Sequence, residues 1–438
     1  MPSPLGSLVW FVLLPLLALL GTPLFAMLAL AALLAFTTHG ISSAAVVTEM
    51  VRLAGAPVLI SVPLFTFAGF LFAEAGTPRR LVRLTRAAFG WVPGGLAIVT
   101  MIACAIFTAF TGGSGVTIVA LGGLMMPALL ADHFSRRFTL GLLTTGGSLG
   151  ILFPPSLGLI IYSYVAMQSA GQSLADPLGG PTVDRLFLAG ILPGILLIVM
   201  LSILALRQGG RGGVATTPFR WGELWGAIRG AAWEIPLPII LLGGIYGGKL
   251  TVTEAAAMTA FYALVVEVFI YRDIPLRRLP EVGGESMTLV GGILIILAAA
   301  LGLTNYLIDA EVPAKILGGG LITNRFGFLL ALNGLLLVIG SLMEGFSAMI
   351  VTVPLVVPMA IHYGVDLTHL GIIVLMNLEL GFSMPPVGLN LVIASFRFRR
   401  PILEVVRASL PFIAVMVIAL LLITYVPEIS LLLVRWLG

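Results

Sequence analysis

Long apolar runs separated by short polar loops set the layout of this chain. Leu8–Phe36, Val58–Ala73, Leu186–Leu206, Leu250–Tyr271, Met287–Ile308 and Ile402–Leu433 each read as a membrane span, the first kinked at Pro15, Gly21 and Pro23. At a rise of ~1.5 Å per residue, about 20 apolar residues cross the hydrocarbon core of a bilayer. Ile235–Tyr246 is a shorter apolar segment carrying Pro236 and Pro238. A polar stretch runs from His39 to Arg52. After Glu74 comes GTPRRLVRLTRAAFG, with Arg79, Arg80, Arg83 and Arg86 and no acid. That pattern predicts a short amphipathic helix on the cytoplasmic surface.

Two runs are too long for one span. Trp91–Ala131 holds no charged residue, and both flanks are basic: Arg86 before it, Arg136 and Arg137 after it. Positive charge marks the cytoplasmic side, so the chain must enter the membrane and return. The turn lies at Gly112–Gly115 and the return leg ends near Pro127. A span followed by a re-entrant hairpin at about 104–129, or a simple helical hairpin, both satisfy this. The second long run, Phe328–Pro358, has flanks poor in positive charge and is followed by His362, Asp366 and His369. Its hairpin, about 328–360, therefore opens to the outside. A turn at membrane depth is viable only against protein or a cavity.

Two further segments, 138–167 and 370–396, are interrupted. Leu149–Ser163 reads LGILFPPSLGLIIYS and Leu380–Ser395 reads LGFSMPPVGLNLVIAS. Proline removes a backbone donor and clashes with the preceding turn, so Pro154-Pro155 and Pro385-Pro386 should each break a helix. The carbonyls so freed must face protein, water or an ion. A matched pair of interrupted spans points to a transporter's binding site.

The two halves share one spacing. The interval from Pro154 to Pro385 is also the interval from Pro127 to Pro358. The same shift sets Gly113 and Ser114 opposite Glu344 and Gly345. Beyond the breaks, the segments around Pro193 and Pro411 also resemble each other. A constant shift over a hairpin and a broken helix, with inside and outside flanks exchanged, is the mark of inverted-topology repeats.

Composition supports this class. Of 438 residues, 59% are hydrophobic and 10% charged, with mean hydropathy +1.13. Soluble domains carry about 25% charged residues. The runs are continuous, which excludes the alternating strands of a membrane barrel. The net charge of +4 comes from arginines in short loops, where it reports orientation and not nucleic-acid binding. Loops holding Arg207, Arg211, Arg220 and Arg229, then Arg272, Arg277 and Arg278, then Arg397, Arg399 and Arg400, are internal. Those with Asp176, Asp184 and Arg185, or Asp309, Glu311 and Lys315, are external. The single cysteine, Cys104, cannot form an internal disulfide and reads as a buried thiol. No Lys or Arg precedes Arg52, so the basic start of a signal peptide is missing and the first run should stay in the membrane. The four histidines lack metal-ligand spacing and no catalytic set is visible, so an enzyme is not expected. Glu254 and Glu267 stand about 220° apart on one predicted helix and are not a pair; Glu254 reads as a helix cap.

The ordered motifs carry a family resemblance over nearly the whole chain. They are GTPLFAMLALAALLAF, SVPLFTFAGFLFAEAG, GWVPGGLAIV, TGGSGVTIVALGGLMMP, GGSLGILFPPSLGLIIYS, LFLAGILPGILL, LTVTEAAAMTAFYAL, MEGFSAMIVTVPLVVP and NLELGFSMPPVGLNLVIASF. The chain resembles the large membrane subunit of TRAP transporters, the DctM type. The resemblance implies an all-α polytopic membrane protein, an inverted-repeat elevator with two re-entrant hairpins and two broken helices. It implies scaffold helices in 1–90 and 207–310, and transport units in 91–206 and 311–438. It also implies a bacterial inner-membrane location and sodium-coupled uptake of a small organic acid. The expected partners are a small four-helix membrane subunit of the DctQ type and a periplasmic substrate-binding protein of the DctP type.

Sodium, a hard cation, takes oxygen ligands that broken helices can supply as carbonyls. The resemblance places one ion at Gly113, Ser114, Gly150, Phe153 and Pro155, and a second at Gly345, Ser347, Gly381, Met384 and Val387. No other metal or cofactor is expected. The same positions could serve only to shape the turns. An anionic substrate between the tips would meet Ser114, Thr117, Ser347 and Asn390, although such hydroxyls can also bond the preceding helical turn. Glu344 and Glu379, acids at membrane depth, could bind a proton or cation or could brace the second hairpin. Two departures stand out: Met384 replaces the Thr usual before the second Pro-Pro, and the first tip reads GGSG where the family is richer in Ser. The rival readings are a stand-alone ion-coupled anion carrier of related fold and a passive channel.

Overall fold

A computed structural model describes residues 20–38, 44–92, 94–170, 180–212, 218–309 and 324–437, with Leu13, Leu16 and Leu17. The predicted external loops around Asp176, and around Glu311 and Lys315, lie outside the described residues, as does most of the chain before Leu20. No strand occurs among the described residues, and eight of their helices are long and apolar enough to cross a membrane.

The Trp91–Ala131 run is a simple two-helix hairpin. Helices α5 (Gly95–Thr111) and α6 (Ser114–Ala131) meet at Gly112-Gly113. Gly112 closes α5 with φ of 67°, a left-handed conformation that glycine adopts without cost. The second long run gives α14 (Arg325–Leu342) and α15 (Gly345–His362), meeting at Met343-Glu344. Shifted by the interval between the double prolines, Ser114–Ala131 falls on Gly345–His362, so the repeat seen in the prolines extends to the helix ends.

Both double prolines fall in gaps between helices, and both Pro-Pro bonds are cis. The gaps differ. Helix α7 (Arg136–Gly146) ends well before α8 (Leu157–Ala170), whereas α16 (Leu367–Phe382) continues almost to the prolines before α17 (Leu389–Phe398). Gly146-Gly147 in the first copy stand where the second has Asn377-Leu378, and glycine is the poorer helix former.

The copies are interlocked. α8, beyond the first break, packs on α15 of the second hairpin, and α17, beyond the second break, packs on α6 of the first. Arg397 Nε, on α17, donates to the Val119 carbonyl of α6 at 2.9 Å. Within each copy the hairpin and its broken helix meet through a glycine. A Cβ at Gly150 would lie 2.2 Å from the Ala105 carbonyl oxygen, and one at Gly381 would lie 2.6 Å from the Gly340 carbonyl carbon. These two glycines are related by the same shift as the prolines, so the same close approach is built twice.

Helices α9 (Val183–Gly212) and α18 (Ile402–Tyr425) follow the two copies, with Pro193 and Pro411 inside them. The predicted span Ile402–Leu433 is in fact two helices. Pro427 cannot continue α18, and α19 (Glu428–Leu437) starts anew.

A second group of helices, the frame, packs beside this core. It contains α1 (Leu24–Thr38), α2 (Ala44–Ala54), α3 (Ser61–Glu74), α12 (Val252–Leu264, extended by π-helical turns to Ile270) and α13 (Leu279–Asp309). The polar stretch His39–Arg52 thus contributes a helix, and α13 starts earlier than its apolar run suggested. α13 packs on α1, α2, α3 and α15, joining frame to core. Thr251 and Glu254 form a reciprocal capping box at the start of α12, where the Glu254 backbone N–H donates to Thr251 Oγ1 at 3.2 Å. The amphipathic helix α4 (Thr77–Phe89) lies between α3 and α5, packed against α10 (Trp221–Gly230). The short apolar segment is α11 (Pro236–Tyr246).

Candidate functional site

The two hairpin tips open onto one cavity of about 420 Å³. Gly112–Val116 form one wall, Glu344–Ser347 another, and Leu378, Glu379 and Phe382 of α16 the floor between them. Ile151 and Gly158 come from the first broken segment, Leu389 and Ile393 from the second, and Thr288, Gly292 and Ile296 from α13 of the frame. No Lys, Arg or His is among the lining residues, while Glu344 and Glu379 are.

The two tips are chemically unlike. α15 is capped by Glu344, whose carboxylate accepts from the Ser347 N–H at 3.1 Å and from Ser347 Oγ at 3.3 Å. α6 starts at Gly113 with no side-chain cap. Its first N–H groups and the positive end of its dipole therefore remain available to an anion. Glu379 is 2% exposed, with Ser148 and Glu344 as polar neighbours, and its Oε2 has no hydrogen-bond partner.

The expected site residues divide. Gly113, Ser114, Gly345, Ser347, Glu344 and Glu379 line the cavity; Thr117, Asn390, Gly150, Phe153, Pro155, Gly381, Met384 and Val387 do not. Thr117 is buried in a hydroxyl pair with Thr108 at 2.7 Å, and Thr108 in turn donates to the Gly147 carbonyl at 2.8 Å. Asn390 braces the core: its Oδ1 accepts from Ser114 Oγ at 2.8 Å and its Nδ2 donates to Ser148 Oγ at 2.7 Å. Phe153 packs over Gly194 of α9, and Gly381 accepts a bond from the Met384 N–H at 2.9 Å. Val387 is exposed, and the Gly388 N–H ties the second break to the Ser341 carbonyl at 3.1 Å. Among the described residues no group of three His, Cys, Asp or Glu could hold a metal.

Sequence reasoning missed Ser148. It is the repeat counterpart of Glu379, so the repeat itself puts a hydroxyl where its copy has an acid. It also missed a cluster around Arg80. The guanidinium pairs with Glu267 at 2.8 Å, Asp273 at 2.6 Å and Glu234, and lies 3.8 Å over the Tyr271 ring. Burial works against its charge, but the bond to Asp273 and the fields of Glu267 and Glu234 outweigh that and raise its pKa. The signal was there: two acids, Glu234 and Glu267, within apolar segments need a cation.

A family model described as "Tripartite ATP-independent periplasmic transporter, DctM component" matches residues 8–429. The chain belongs to the DctM family. It is 36% identical over 390 residues to the C4-dicarboxylate TRAP transporter large permease protein DctM of Rhodobacter capsulatus, covering 87% of each chain. It is 30% identical over 422 residues to the ectoine TRAP transporter large permease protein TeaC of Halomonas elongata, covering 95% of this chain and 96% of the other. Among solved structures, the Alcanivorax borkumensis YdaH transporter shares the fold, with TM-score 0.60, 15% identity, and coverage of 90% of this chain and 87% of that one. As a DctM-family chain, this protein is the large permease component of a TRAP transporter and a multi-pass membrane protein. Its relatives are permeases, not enzymes. In the DctM family the substrate varies, since one of these relatives is named for C4-dicarboxylates and the other for ectoine.

Proposed function

We propose that this permease imports a small organic acid together with sodium, by an elevator motion of the two interlocked repeats against the frame. The observation that carries the reading is the shared cavity. Two hairpins whose bases the charge rule puts on opposite sides of the membrane end at one pocket. Each is closed by a short turn beside a broken helix, so either hairpin can act as the gate for its own side. The substrate carboxylate would sit against the uncapped start of α6 and Ser114. The pocket holds two acids and no basic side chain, so an anion gains little there unless cations enter with it. That requirement supports ion coupling. Backbone oxygens beside the tips, at Gly113, Gly345 and the turns after Gly147 and Gly381, would carry the sodium ions.

The partners in this reading are a small membrane subunit and a periplasmic binding protein that delivers the acid, in a bacterial inner membrane. The test is reconstitution of the permease with both partners in proteoliposomes. Uptake should require an inward sodium gradient, and preloaded substrate should exchange with external substrate. Uptake that survives collapse of the sodium gradient overturns sodium coupling; flux without exchange overturns the carrier mechanism in favour of a channel.

A further inference from the structure

The four arginines of α4 do not share one role. Arg80 turns inward to Glu234, Glu267 and Asp273. Arg79, Arg83 and Arg86 stand at i, i+4 and i+7, within an arc of about 60° on the helix surface. All three are exposed, and among the described residues none of their guanidinium groups makes an ion pair or hydrogen bond. Arg83 and Arg86 border an open cavity of about 310 Å³, closed on the other side by Glu223 of α10. A Cβ at Gly226 of α10 would lie 3.8 Å from Arg83 Nη2, so the guanidinium rests in the cleft between the two helices.

The surroundings identify the occupant. Trp221 and Trp225 on α10 are 75% and 56% exposed, and Phe89 and Trp91 at the end of α4 are also exposed. Exposed indoles beside a basic, amphipathic helix belong at the headgroup level of a membrane. Guanidinium groups match phosphate oxygens in geometry and charge. We infer that Arg79, Arg83 and Arg86 form a site for the phosphate headgroup of an anionic lipid, with the acyl chains lying along the exposed aromatic residues of α4 and α10. The site has a mechanical consequence. α4 leads directly into the first hairpin, and its other face is tied to the frame through Arg80, so a lipid bound there helps fix the arm from which that hairpin extends.

Binding of phosphatidylglycerol and of phosphatidylcholine to the full chain, followed by native mass spectrometry from mixed micelles, tests this. Phosphatidylglycerol should be retained over phosphatidylcholine and should be lost as salt is raised. Each arginine removed should weaken it roughly fivefold, so the variant R79Q/R83Q/R86Q should bind about a hundredfold more weakly. Arg435→Gln, at the far end of the chain, should bind as the parent does. Wild-type occupancy in the triple variant overturns the proposal, as does phosphatidylglycerol binding that does not depend on salt. Displacement by millimolar inorganic phosphate would show a free-anion site, and displacement by the small membrane subunit would show a protein-docking face; either result overturns it. Should the triple variant fail to fold, Arg83→Gln alone decides, through its expected fivefold loss.

Discussion

Ser114 and Asn390 are 276 residues apart in the chain and joined by a 2.8 Å hydrogen bond. The first belongs to the tip of one hairpin and the second to the half-helix beyond the other copy's break. Asn390 also holds Ser148, so a single amide ties three segments of the core together.

Asn390→Ala should therefore cost more than Ser114→Ala. It removes two buried hydrogen bonds at once, to Ser114 and to Ser148, a loss of roughly 1–3 kcal/mol, whereas Ser114→Ala leaves the bond to Ser148 in place. Thermal unfolding in detergent, followed with both variants, should show the larger drop for Asn390→Ala. Equal drops would mean that the amide does not bridge the segments.

Gly150→Ala and Gly381→Ala should each impair the permease through overpacking. The added carbon would press on the Ala105 carbonyl or on the Gly340 backbone, at a cost of roughly 1–3 kcal/mol. Gly243→Ala, where a Cβ meets nothing within 4 Å, is the matched control. Melting temperature and uptake should fall in the first two and hold in the third.

Glu344→Ala should remove the α15 cap and cost about 1 kcal/mol. Glu344→Asp, with its shorter carboxylate, suits the cap position and should restore stability. The sodium concentration for half-maximal uptake separates the two possible roles. If Glu344 only caps, Asp restores it to the parent value; if its carboxylate also faces the coupling ion, Asp leaves it raised.

Arg80→Met should be among the most destabilising single changes. It leaves Glu267, fully buried, and Glu234 without their cation, a loss of roughly 3–5 kcal/mol. The double change R80M/E267M should recover part of that loss, and chemical or thermal unfolding of both variants checks it. A double variant no more stable than Arg80→Met would show that the pair is not the source of the effect.

Much of the architecture was legible in the chain because it follows local rules. The hairpin turn at Gly112-Gly113, the breaks at the double prolines and the constant shift between copies depend on backbone geometry and apolar length. The cavity was legible only in part. Ser114, Glu344 and their neighbours were placed at the tips by the turns themselves. Asn390 has the chemistry of a substrate ligand, yet it faces the interior of the core, and Thr117 is taken up by Thr108. α2 was hidden in a stretch too polar for a span, and the end of α18 was hidden by apolar residues on both sides of Pro427.

The sequence by itself determined where the chain turns at the two hairpin tips, where it breaks at the double prolines and that the same pattern is written twice at one spacing. It could do so because a bilayer demands long apolar helices and proline denies them a donor. Only the tertiary structure decided that each half-helix packs on the other copy's hairpin, that the two tips share a cavity, and that Arg80 turns in while Arg79, Arg83 and Arg86 turn out. The reason is that lipid and protein interior are equally apolar, so hydrophobicity along a membrane helix does not tell which face meets a neighbour.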